Sequence, residues 1–180
     1  MRVFDFAANF AVLAAVAAPF MPLAAGQNGA LIENEFVRVV MATDQPHKAS
    51  APHQHKQNRV MIYLDSGDID LKYASGKVEH QHWKPGDVAW SPAGGIHTSE
   101  NVSERLIRIV EIELRGQGDS GAAAQPPDRT HTVIDNSQVR VYKGSNPPAK
   151  DHYVAVNINT GAVAWDHVPE GGPIVITEIK

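Results

Sequence analysis

Three histidines have the types and spacing to hold a metal ion. His53 and His55 flank one residue in Pro52-His53-Gln54-His55. On an extended chain, residues i and i+2 project to the same face, so both imidazoles can reach one ion. His97 follows the turn Ser91-Pro92-Ala93-Gly94-Gly95, at the start of a new strand. Three imidazole nitrogens suit a divalent ion such as Fe, Mn, Ni, Cu or Zn, and sequence does not choose among them. They leave coordination positions open for a small molecule. The plainer alternative makes His53 and His55 surface residues of a proline-rich loop, with no metal, and His97 a turn cap.

The stretch Trp83 to Asn101 must position His97. Lys84-Pro85-Gly86-Asp87 reads as a tight turn, Val88-Ala89-Trp90 as a short strand, residues 91–95 as a second turn, and Ile96-His97-Thr98 as the next strand. Proline and glycine punctuate this order because each restricts or permits backbone angles that other residues do not. The histidine pair leads into the apolar run Val60-Met61-Ile62-Tyr63-Leu64, closed by Asp65-Ser66-Gly67.

Gly86, Pro92, Gly94, His97 and Asn101 stand at the spacing of the second motif of the cupin family, which the chain resembles over residues 31–115. The first cupin motif is matched by His53, His55 and Gly67 but not by its glutamate. The candidate slots hold Arg59 and Val60, and spacing back from Gly67 favours Val60. The chain is similar to small bacterial cupins that keep the histidines and carry an apolar residue at the glutamate position. The resemblance implies an all-β, cupin-type jelly-roll β-barrel, with His53, His55 and His97 around the metal. By analogy of fold it suggests oxygenase, isomerase or lyase chemistry on a small molecule.

Without the glutamate, three neutral imidazoles leave the metal's charge uncompensated, and an inward Arg59 would weaken binding further. Arg59 reads as a surface strand residue or, more sharply, as an anion clamp at a pocket mouth; the surface reading is preferred. With Arg59, the possible pocket residues are Val60, Tyr63, Trp90 and Asn101. Tyr63 and Trp90 are expected in the core, and Asn101 at the following turn. A second pair, His80 and His82, matches no ligand position and reads as surface.

Composition excludes other chemistry. The 180 residues carry a net charge of −4 and no cysteine. There is no basic patch for nucleic acid, no thiolate ligand and no disulfide. Residues 1–26 read as a signal peptide, with Arg2, the apolar run Phe10–Ala18 and the small residues Ala24-Ala25-Gly26, although Asp5 interrupts the charged start. The apolar run is too short to span a bilayer, so no membrane association is expected after export. Export places the mature chain in the periplasm or outside the cell; otherwise it is cytoplasmic.

The expected order is a barrel over 27–115, a linker over 116–127 and a partial repeat over 128–180. Residues 133–141 echo 31–39, 153–161 echo 59–67, and 174–180 echo 106–113. Pro147 and Ala149 stand where the histidine pair was, so the repeat has no chemistry. About fifty residues cannot close a barrel alone. These extra C-terminal strands are expected to pack on the barrel or on a second chain, and a homodimer is expected. Two function classes follow: a metal-dependent enzyme, or a non-catalytic protein whose barrel binds a small ligand.

Overall fold

The structure, a computed structural model, describes residues 29–116, 132–149 and 152–180. The expected signal peptide and nearly all of the linker lie outside these residues. The first lobe contains β1 (Ile32–Glu33), β2 (Val37–Asp44), β3 (His53–His55), β4 (Arg59–Tyr63), β5 (Gly67–Tyr73), β6 (Val78–Trp83), β7 (Val88–Ser91), β8 (Gly94–Asn101) and β9 (Ile107–Leu114). The second contains β10 (Thr132–Asp135), β11 (Val139–Lys143), β12 (Tyr153–Asn157), β13 (Val163–Trp165) and β14 (Ile174–Ile179). No helix occurs among the described residues.

The first lobe forms two antiparallel sheets, in the orders β1-β2-β9-β4-β7 and β3-β8-β5-β6. Apart from the β1–β2 and β5–β6 pairs, successive strands cross between the sheets, so most neighbours in space are distant in sequence. Leaving aside the two-residue β1, this is the eight-strand order of a jelly roll. Gly86 and Gly94, with φ of 83° and 111°, occupy angles that side chains rarely adopt. Gly67 has a different reason: a Cβ there would lie 2.4 Å from Ile107 Cδ1.

The third sheet runs β10-β11-β14-β12-β13, the same order as β1-β2-β9-β4-β7. The correspondence extends to single hydrogen bonds. Asn34 Oδ1 accepts the backbone N–H groups of Phe36 and Val37, and Asn136 Oδ1 accepts those of Gln138 and Val139, all at 2.9 Å. Arg38 pairs with Glu113 as Arg140 pairs with Glu178, and Arg115 with Glu33 as Lys180 with Asp135. Arg59 lies opposite Glu113 as Tyr153 lies opposite Glu178. The last echo is therefore residues 174–180 with 109–115, three residues beyond the start expected from sequence. The alternating Ile/Val pattern of residues 106–114 fits more than one offset, and the register selects one.

Among the described residues, the second lobe thus repeats one sheet of the jelly roll and has no counterpart of the histidine-bearing sheet. Its face packs on the corresponding face of the first lobe. Val37, Val39, Val60, Ile62, Val110 and Ile112 share one buried core with Val139, Val141, Val154, Val156 and Val175. Phe36 stacks on His152 and Trp165 at centroid distances of 4.3 and 5.9 Å, and Asn58 Nδ2 donates to Gln138 Oε1 at 2.7 Å. The described chain is therefore three sheets deep, with the sheet containing β4 and β9 in the middle. The second lobe covers the barrel in cis.

Val60 and its counterpart Val154 are both fully buried at this interface. Val60→Ala and Val154→Ala should each cost about 1–3 kcal/mol in urea unfolding; neutral substitutions would contradict this packing. At the Leu64 turn, Arg108 Nε and Nη2 donate to Asp65 at 2.8 and 2.9 Å, holding the Asp65 carboxyl below its usual range. A lowered native pKa contributes stability that is present above the ordinary carboxylate value of about 4 and is lost as pH falls through the lower native value. Asp65→Asn should lower stability at pH 7 and flatten the acid limb of the stability–pH curve.

Candidate metal centre

β3 pairs with β8 so that His53 lies opposite His97 and His55 opposite Gly94, with an irregularity between. The i, i+2 spacing turns both β3 histidines to the barrel interior. The ring centroids of His53, His55 and His97 stand 4.7–5.5 Å apart. One ligand nitrogen from each lies within 4.8 Å of the other two. Three nitrogens at about 2.1 Å from one tetrahedral ion stand about 3.4 Å apart, so small ring rotations complete the set.

The second nitrogens are already engaged. His53 Nδ1 meets the Ala51 carbonyl at 2.9 Å, and His97 Nδ1 meets the Gly95 carbonyl at 3.0 Å. As donors to carbonyls, these Nδ1–H groups leave each Nε2 with a free lone pair, the usual support of a metal-bound imidazole. His55 Nε2 is buried and has no hydrogen-bond partner. Burial first, then Arg59 and the other two histidines, pushes His55 down to about 3, so its ring is neutral at ordinary pH. A buried, neutral, unpartnered nitrogen facing two free imidazole nitrogens is a donor set that fits a divalent ion.

The histidines border a cavity of about 540 Å³ between the two barrel sheets. Alternation along β4 turns Arg59, Met61 and Tyr63 inward and leaves Val60 and Ile62 in the inter-sheet core. Val60 is therefore not a pocket residue, and Arg59 faces the cavity where the glutamate slot was sought. Arg59 is not a surface residue either: it is 4% exposed. Its Nη1 donates to Glu111 at 2.7 Å and its Nε to Ser91 Oγ at 3.2 Å. Tyr63 lines the cavity and stacks on Trp83 at 3.9 Å, and burial pushes its hydroxyl pKa well up. Trp90 touches both the cavity and the inter-sheet core. Asn101 does not line the cavity; fully buried, it donates to the Asp44 and Arg105 carbonyls and accepts the Ser103 N–H. His80 and His82 are exposed and pair with Asp70 and Asp68, each at 2.7 Å.

The cavity lining also contains carboxylates that no sequence motif marks. Glu111 on β9 is in phase with the inward Ile107 and Ile109, a signal present in the alternation of that strand. Asp44 ends β2, in phase with the inward Ala42. Burial, then Glu111, pushes the Asp44 carboxyl above its usual range, against the opposing pull of His53 and Arg59. Glu79 and Tyr73 also line the cavity; Tyr73 donates to Glu79 at 3.1 Å.

No protein-family model and no curated protein matches the chain. Solved structures with a similar fold include a cupin domain from Bordetella pertussis Tohama I, 25% identical over 49% of this chain and 91% of that one, TM-score 0.46. Another is a protein with a double-stranded β-helix domain from Klebsiella pneumoniae, 22% identical over 51% and 83%, TM-score 0.41. A third is a cupin superfamily protein from Desulfitobacterium hafniense, 17% identical over 51% and 83%, TM-score 0.39.

The Arg59–Glu111 pair is nearly buried, so removing one partner strands a desolvated charge. Arg59→Met or Glu111→Gln alone should cost roughly 2–4 kcal/mol. The double variant should cost less than the sum, with a coupling of about 1–3 kcal/mol in a urea double-mutant cycle. Strict additivity would contradict the pairing.

Proposed function

We propose that this chain, whose first lobe is a cupin-type jelly roll, binds one divalent metal ion through His53, His55 and His97 and holds a small molecule beside it. The observation that carries the reading is the buried, unpartnered Nε2 of His55, set against two imidazoles whose Nδ1 atoms are already engaged. A metal held there would supply Lewis-acid or redox chemistry.

The residues of the chain supply the rest. The carbonyls of Ala51 and Gly95 fix two rings in orientation. The stacked Tyr63 and Trp83, with Met61, Ile69, Leu71 and Ile109, form an apolar wall that keeps water from the far side of the cavity. Asp44, whose raised pKa suits proton exchange nearer neutral pH, can take or return a proton at its carboxylate. These parts support an enzyme of the oxygenase, isomerase or lyase kind. Residues 1–26 support export of the mature chain.

The test is elemental analysis of untagged protein beside three variants. Near one equivalent of metal is expected in the wild type. It should fall at least about tenfold in His53→Ala and His97→Ala, and persist in His80→Ala, whose ring lies outside the cavity. Protein that gains no metal on reconstitution with divalent iron, manganese, nickel, copper and zinc would overturn the metal reading. The cavity would then be a metal-free ligand pocket.

A further inference from the structure

The charges around the cavity indicate what it takes. Its ionisable lining comprises the three histidines, Asp44, Arg59, Glu79 and Glu111, with the hydroxyls of Tyr63 and Tyr73. Glu79 is engaged at one side, with Lys77 Nζ at 2.6 Å and the Tyr73 hydroxyl at 3.1 Å. Glu111 is engaged with Arg59, and the two charges cancel. Imidazoles bound to a metal through a ring nitrogen are neutral and contribute no charge. A dipositive ion on the histidines would leave Asp44 as the one uncommitted carboxylate of the lining. It lies outside the 4.8 Å ligand set.

Arg59 is itself incompletely used. Of its five N–H donors, Nε is taken by Ser91 and one on Nη1 by Glu111. Its Nη2 donates to no group among the described residues. Guanidinium groups are built to hold carboxylates through parallel N–H bonds. Glu111 balances the charge of Arg59 but not that of a prospective dication in the same cavity, which a further anion would offset.

Resting on the metal site proposed above, we infer that the cavity selects a small carboxylic acid in its anionic form. The free N–H edge of Arg59 holds the carboxylate, which supplies negative charge to a ligand set that contains no carboxylate of the protein. The body of the acid packs against Tyr63, Trp83 and the aliphatic wall. Arg59 is then a specificity-determining residue, and Glu111 is a positioning residue that keeps the guanidinium pointed and its charge balanced.

The experiment is calorimetric titration of zinc-loaded protein with benzoate and lactate, each beside its neutral amide, benzamide and lactamide. At least one acid should bind at least about tenfold more tightly than its amide. Arg59→Met/Glu111→Gln removes both charges together, so no buried charge is stranded. It should keep its zinc by elemental analysis and lose the preference for the acid. Arg59→Lys, which keeps a point charge without the fork, should bind the acid with intermediate affinity. Acids and amides that bind alike to loaded wild-type protein, or a preference that survives unchanged in both variants, would overturn the inference while leaving the metal site standing. Failure to load zinc, seen before any acid is added, would instead be the failure of the metal reading, and this inference would fall with it.

Discussion

The middle sheet is buried on both faces, and the structure depends on that constraint. Strand β4 lies between β9 and β7, with the barrel cavity on one side and the second lobe on the other. A strand's side chains alternate with a period of two, so a one-residue slip would exchange the two faces completely. Here that exchange would drive the Arg59 guanidinium into a core of valines and put Val60 in the cavity. The penalty for burying an unpaired charge fixes the register, and the register sets Arg59 beside Glu111. The chemistry on one face is thereby tied to the packing on the other.

The second lobe makes sense in the same terms. A barrel sheet with Val37, Val39, Val60, Ile62, Val110 and Ile112 on its outer side presents an apolar surface too large to leave in water. The repeated sheet supplies a matching surface built from corresponding positions. Because both sheets share one strand order, corresponding strands bring corresponding apolar positions to the shared interface. Among its described residues the repeat has no counterpart of the histidine-bearing sheet, yet it keeps this packing role.

Much of the site was legible in the sequence because its signals are local. The histidine pair, the Pro-Gly turns and the spacing from Gly86 to Asn101 lie within short stretches, and they identified the three converging rings and the jelly roll. What was not legible depends on long-range register. Arg59 and Val60 are adjacent, and spacing back from Gly67 favoured Val60 at the glutamate position; the pairing of β4 with β9 instead turns Arg59 inward. Glu111 lies 52 residues from Arg59, and only the shared inner face reveals the pair. Asp44 ends a strand whose inward phase is weakly marked, since Ala42 and Met41 are both apolar. The offset of the last repeat strand was missed for a related reason, because alternating Ile and Val fit several alignments until backbone pairing chooses one.

The central claim is that His53, His55 and His97 act together as one ligand set. X-ray absorption spectroscopy of the zinc-reconstituted protein tests it most directly, because scattering from imidazole rings counts them without reference to activity. Three imidazole nitrogens at about 2.0–2.1 Å are expected, with the remaining coordination made up by oxygen donors. A first shell with fewer than three imidazoles would contradict it.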